Sequence, residues 1–146
     1  MTTSMENKSN HRIIVADTSG LVSLFNATDS NHQVAVEAAL RLMDPNVEID
    51  VAVPLAVFLE CYNVLGRQLG HIGAIQAVGE LSRTFRLMDA VDRHTIDLTE
   101  KLFLIAPASV SHTDCLVMAC CDEFGTREIF GFDRAFTKAG YSLPPF

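Results

Sequence analysis

Short apolar runs alternate along this chain with longer stretches of helical periodicity, and this alternation limits the folds that are available to it. The runs at 13–16, 49–53 and 129–132 are rich in β-branched or aromatic residues, as is typical of buried strands. Helical stretches lie between them, and strands joined by helices form parallel sheets with helices on both faces. We therefore predict an α/β fold, a three-layer α/β/α sandwich with a central, mostly parallel sheet.

Capping residues, glycines and prolines predict where the other elements begin and end. Helices are expected at 21–25, from a cap at Ser30 or Asn31 to 43, at 54–70 and 72–85, from Asp92 to 105, from Ser111 to 124 with Gly125 ending the helix, and at 134–138. Further strands are expected at 86–90 and 141–143. The helical period predicts two inward-facing sets, Val34, Ala38 and Leu42 in one helix and Ile96, Thr99 and Phe103 in another.

The 146 residues suffice for one hydrophobic core. The first twelve are polar, so we expect a flexible N-terminal tail at 1–12 and a single domain at 13–146. No apolar run approaches the ~20 residues of a membrane span, and the first twelve residues lack the apolar segment of a signal peptide. We therefore expect a cytoplasmic protein without a membrane partner. The four cysteines have no disulfide or zinc spacing and are expected to be small buried apolar residues.

The charge balance restricts the function. Eleven Lys and Arg against 18 Asp and Glu give a net charge of −7, which argues against a protein that coats nucleic acid with a basic face. The balance remains compatible with an enzyme that gathers carboxylates around cations. The chain has no glycine-rich phosphate loop and no Gly-x-Ser-x-Gly motif, so a P-loop NTPase or a serine hydrolase is not supported.

Four acids are predicted to meet at one edge of the sheet. Asp17 and Asp133 end strands, Asp114 lies in the first turn of a helix, and Glu60 lies in the helix after the second strand. In parallel sheets, strand ends and helix starts share the edge where ligands bind. Four like charges share a small site when cations neutralise them, and oxygen ligands without His or Cys favour Mg²⁺ or Mn²⁺.

Each acid also has a simpler interpretation. Asp17 and Asp133 could cap the helices that follow them, and Asp114 could form a capping box with Ser111. Glu60 lies in an otherwise apolar helical segment, where an acid needs a reason. With Asn63 and Arg67 it forms a stripe at i, i+3 and i+7, which could be a solvated face.

Four segments taken together resemble the motifs of the PIN domain family. They are Val-Ala-Asp-Thr-Ser-Gly-Leu-Val at 15–22, Glu-Cys-Tyr-Asn-Val-Leu-Gly-Arg at 60–67, Ser-His-Thr-Asp-Cys-Leu-Val-Met-Ala at 111–119, and Gly-Phe-Asp-Arg-Ala-Phe at 131–136. The resemblance extends over 13–144 in the family's order. Gly131 stands where the family usually has Thr, and Cys115 where a small Ala is common; both departures leave the four acids intact.

Size and motif order look most like the VapC-type toxins of bacterial toxin–antitoxin pairs. The resemblance implies a metal-dependent endoribonuclease, often dimeric and held inactive by an antitoxin protein. It implies that one or two Mg²⁺ or Mn²⁺ ions are bound by the four acids Asp17, Glu60, Asp114 and Asp133. The residues expected to support them are Thr18, Ser19, Asn63 and Arg67. The alternative is a catalytically silent PIN-like module that binds RNA or protein.

Two further expectations concern partners. Arginines that could contact RNA phosphates, although such residues are more often solvated or paired, are Arg67, Arg83, Arg86, Arg93 and Arg134. The first half of the chain contains more apolar helical residues than a small domain easily hides, which predicts a homodimer and a groove for an antitoxin segment. They include Val57, Phe58, Leu65, Leu69 and Ile72.

Overall fold

A parallel sheet forms the centre of the protein. The computed structural model describes residues 11–146, and within them four strands pair in the order β3-β2-β1-β4. The strands are β1 (Arg12–Ala16), β2 (Ile49–Pro54), β3 (Arg86–Met88) and β4 (Ile129–Phe130). All three pairings are parallel. The α/β prediction is confirmed, and β1 lies inside the sheet, so its carboxyl end is flanked by those of β2 and β4.

Six helices cover the sheet within the same described range. They are α1 (Thr18–Phe25), α2 (His32–Leu42), α3 (Leu55–Thr84), α4 (Arg93–Ile105), α5 (His112–Phe124) and α6 (Arg134–Lys138). Helix α1 packs against both α2 and α3, α4 packs against α5, and helices lie on both sides of the sheet. The three-layer prediction is therefore confirmed.

Helix α3 is interrupted at Gly70. This glycine has φ 78° and ψ 172°, a backbone conformation that side-chain-bearing residues rarely adopt. The prediction of two helices separated near residue 70 is confirmed in this sense, because the helical path breaks there and resumes at once.

The buried faces of two helices differ from the prediction. Ala38 and Leu42 are buried as predicted, but Val34 is 36% exposed, and Ala35 and Ala39 complete the buried face of α2. On α4 the inward pair is Thr95 and Thr99, whereas Ile96 and Phe103 are each 43% exposed. The Thr99 hydroxyl donates to the Thr95 carbonyl at 2.8 Å, so the buried polar side chain is satisfied.

The two ends of the chain also differ from the prediction. Strand β1 begins at Arg12, one residue early, and residues 1–10 of the predicted tail lie outside the described residues. Strand β4 ends at Phe130, because the Phe132 amide donates to a side chain and not to the sheet. The predicted strand at 141–143 is reduced to one bridge between Ser142 and Glu128.

The core confirms the interpretation of the cysteines as buried residues. All four cysteines are buried and none is bonded to another. Within residues 11–146, no helix is both long and apolar enough to cross a membrane.

Candidate functional site

Asp17 follows the last residue of β1 and is almost entirely buried, with 3% of its surface exposed. Its Oδ2 accepts the Ser19 amide at 3.1 Å and the Ser19 hydroxyl at 2.6 Å, so Asp17 is the N-cap of α1. Burial raises the pKa of Asp17 to about 6; the Ser19 hydrogen bonds oppose this shift, and the charge of Asp114 adds to it. The capping interpretation is confirmed. The capping carboxylate is nevertheless disfavoured in its charged form, because it is buried and lies in the field of Asp114.

Ser19 connects the segments that follow β1 and β4 through hydrogen bonds. Its Oγ accepts the Phe132 amide at 2.9 Å while its hydroxyl donates to Asp17. Gly131 lies directly against both side chains, since a Cβ there would stand 3.0 Å from Asp17 Cβ and 3.1 Å from Ser19 Oγ. The departure from the family pattern at position 131 therefore coincides with close packing around the buried acid.

Asp114 forms the capping box predicted for the start of α5. Its Oδ2 accepts the Ser111 amide at 2.8 Å, and its own amide donates to Ser111 Oγ at 3.0 Å. The carboxylate is half-buried, and burial raises its pKa. The Ser111 hydrogen bonds oppose that shift, while the charges of Asp133 and Glu60 add to it.

The other two acids are exposed. Asp133 caps α6, because its Oδ1 accepts the Ala135 amide at 2.9 Å. Glu60 lies on the solvent side of α3, and its Oε2 accepts the Thr18 hydroxyl at 2.6 Å. This contact joins α3 to the first residue of α1, next to Asp17.

The four acids are electrically coupled, with Asp114 at the centre. The charge of Asp114 raises the pKa of Asp17, and the charges of Asp133 and Glu60 raise the pKa of Asp114. Within residues 11–146, none of the four is in an ion pair with a Lys, Arg or His. Such a cluster of oxygen donors fits a hard divalent cation, because the cation would relieve repulsion that the chain leaves uncompensated.

The four carboxylates do not form a preformed metal site in the described part of the chain. As the side chains stand, no three His, Cys, Asp or Glu residues in the described part of the chain converge closely enough to hold one ion. Each of the four carboxylates accepts hydrogen bonds from residues within 11–146 at only one of its two oxygens. The second oxygen of each acid accepts no hydrogen bond of this kind, and the Glu60 and Asp133 side chains are exposed.

The remaining predicted residues divide into two groups. Asn63 and Arg67 are exposed on α3 together with Glu60, as expected for a solvated stripe. The hydrogen bond between Thr18 and Glu60 was not predicted, because no local sequence pattern indicates it. Among the arginines considered for phosphate contacts, Arg83, Arg86 and Arg93 pair with carboxylates. Neither Arg67 nor Arg134 forms an ion pair within 11–146.

Comparisons with known proteins agree with this architecture. The family model described as the PIN domain matches residues 14–140. Among solved structures, the chain is similar to the crystal structure of Mycobacterium tuberculosis VapC20, described as a toxin that cleaves the sarcin–ricin loop. The TM-score is 0.75 at 25% sequence identity, and the match covers 88% of this chain and 96% of that chain. A search of curated proteins found no match.

Proposed function

This chain belongs to the PIN domain family, and from this premise we propose that it is an endoribonuclease of the VapC-like toxin class whose activity depends on Mg²⁺ or Mn²⁺. The observation that supports this most directly is Asp17, a buried carboxylate that is repelled by Asp114 and has no cationic partner among residues 11–146. A buried charge without a partner is costly, and a bound cation removes that cost.

We assign the cation to the four acids. Asp17 and Asp114 are held in place by Ser19 and Ser111, so they would be the fixed ligands. Glu60, which accepts the Thr18 hydroxyl, and the exposed Asp133 would complete the set. When bound, a divalent cation neutralises charge on a phosphodiester and lowers the pKa of a coordinated water near phosphorus.

The side chains around the acids would orient the substrate and the ligands. Thr18 holds Glu60 through its hydroxyl, and Ser19 holds Asp17 at the end of β1. Arg67 and Arg134 would bind RNA phosphates, because Arg67 follows Glu60 by seven residues on α3, Arg134 follows Asp133 directly, and neither pairs with a carboxylate within 11–146. Asn63, exposed between Glu60 and Arg67, would hydrogen-bond to ribose or base.

A second copy of the chain and an antitoxin protein are the proposed protein partners, in the cytoplasm. Part of the sequence argument for a dimer is wrong, because Val57 and Leu65 are completely buried in the protein's own core. The exposed apolar residues of α3, which include Ile72 at 71% and Ile75 at 49% exposure, support the dimer. Light scattering tests it, and a strictly monomeric mass at high concentration would contradict it.

The test of the proposed function is RNA cleavage by the purified protein. An oligonucleotide with the sarcin–ricin loop sequence is a suitable first substrate, because the similar toxin is described as cleaving that loop. We expect cleavage with Mn²⁺, its loss with EDTA, and its loss in Asp17→Asn and Asp114→Asn. Asp97→Asn is the matched control, since Asp97 is an acid on α4 that pairs with Arg93.

Two results would contradict the proposal. Cleavage that continues undiminished in EDTA would exclude the cation, and cleavage by Asp17→Asn at the unmodified rate would exclude the site. RNA binding without cleavage under every metal condition would favour the silent binding module.

A further inference from the structure

A largely apolar pocket of about 570 Å³ opens beside Asp133. It lies between the end of α4, the loop that follows, α5 and α6, and its apolar wall includes Leu102, Ile105, Val110 and Met118. Two cations, Arg134 and Lys138, line its α6 side. Neither forms an ion pair with any residue of the described chain.

The pocket and the acid cluster share a wall. Met118 follows Asp114 by four residues on α5, so the two side chains lie on the same face of the helix, one turn apart. Asp133 belongs to the acid cluster and also lines the pocket. A ligand in the pocket would therefore contact Asp133, one of the four acids.

We propose that this pocket binds one unpaired nucleobase of an RNA whose adjoining phosphate lies at the acid cluster, an inference that rests on the proposed function. Proteins read RNA mainly through unpaired bases that leave the stack and pack on flat or polarisable side chains. The Met118 thioether and the Arg134 guanidinium supply such surfaces, and Lys138 supplies charge for a phosphate.

The position of the cations favours RNA over a protein segment. An apolar peptide would use the wall formed by Ile105 and Val110 but would leave Arg134 and Lys138 without an anionic partner. An RNA strand brings one phosphate with each base, so it occupies the apolar wall and pairs with the cations together.

Filling the pocket tests the proposal in the full chain. Ser109→Trp places an indole in the pocket, whereas the neighbouring Ala108→Trp is the control, since both residues are exposed and only Ser109 is a lining residue. With a randomised RNA substrate and Mn²⁺, Ser109→Trp should raise KM about tenfold or more by excluding a base and should lose the base preference beside the cut. Ala108→Trp should retain both properties. Equal behaviour of the two variants would overturn the proposal.

A binding measurement separates failure of the pocket from failure of the nuclease. In EDTA, nucleoside monophosphates at millimolar concentration should shift the NMR signals of the Met118 and Val110 methyl groups, and ribose 5-phosphate should not. If no RNA is cleaved but these shifts occur and disappear in Ser109→Trp, the base pocket is supported and the proposed function is wrong. If RNA is cleaved, the methyl groups do not respond and both tryptophan variants cleave alike, the pocket proposal is overturned.

Discussion

Replacing Asp17 by Asn should stabilise the metal-free protein at neutral and alkaline pH. The carboxyl is buried, and burial raises its pKa from the ordinary value of 3.8 to about 6. An acid whose pKa is raised by folding contributes stability below its unfolded pKa, and this contribution is lost as the pH rises through the folded pKa. A difference of about 2 between the two pKa values corresponds to roughly 3 kcal/mol of unfolding free energy.

The asparagine should preserve the local structure. Its side-chain oxygen can accept the amide and hydroxyl of Ser19, as Asp17 Oδ2 does, so the cap of α1 remains. We therefore expect the unfolding free energy of Asp17→Asn to be higher than that of the unmodified protein by roughly 2–3 kcal/mol near pH 8. The gain is slightly below the full electrostatic value because hydrogen bonds to a neutral acceptor are weaker. Below about pH 3 the difference should fall to about zero, because the carboxyl of the unmodified protein is then neutral in both the folded and the unfolded state.

Urea unfolding in EDTA over this pH range measures the effect. Adding Mn²⁺ should stabilise the unmodified protein and not the variant, and so reduce the variant's advantage. Asp97→Asn is again the control, because this exposed acid should show no advantage that grows with pH. If Asp17→Asn is less stable than the unmodified protein by the same amount at every pH, Asp17 acts only as a cap and the electrostatic argument is wrong.

Three further predictions concern the residues around this carboxylate. Glu60→Gln should abolish cleavage yet change stability by at most ~0.5 kcal/mol, because the side chain is exposed; cleavage at the unmodified rate would remove Glu60 from the site. Ser19→Ala should cost roughly 1–3 kcal/mol in urea unfolding, because it leaves the Phe132 amide without its acceptor; an unchanged midpoint would contradict the link between strands. Gly131→Ala should destabilise the protein by about 1–3 kcal/mol and weaken Mn²⁺ binding, because the added Cβ would stand 3.0 Å from Asp17 Cβ and 3.4 Å from its Oδ2. Gly66→Ala, which meets no atom within 4 Å inside α3, should be neutral or stabilising, and equal effects of the two glycine variants would refute the packing argument.

The parts of the fold that were predictable from sequence depend on local signals. The order of strands and helices, the break near Gly70 and the caps at Asp92 and Ser111 follow from residues within a few positions of each boundary. The four acids were found for the same reason, since each follows a strand or lies in a recognisable helical motif. Their roles as ligands stay a prediction.

The parts that were missed depend on contacts between distant residues. The apolar Ile96 faces solvent while Thr95 faces inward, because the packing of α4 against α5 fixes the rotation of the helix and hydropathy does not. The bond from the Phe132 amide to Ser19 spans 113 residues and shortens β4, and no local pattern encodes it. The pocket beside Asp133 arises from four segments that only the fold brings together.

Three of the four acids begin helices, and this placement has a consequence for the protein without its cation. The backbone dipoles of a helix sum to about half a positive charge at its N-terminus. Asp17 and Asp114 lie at the starts of α1 and α5, so two such partial charges face the same repelling carboxylates. The macrodipoles offset part of the repulsion at all times, so loss of the cation should leave a folded protein. In this respect the protein should differ from a zinc finger, which unfolds without its metal. Binding or loss of the cation should change only the charge and the side-chain rotamers at this edge of the sheet.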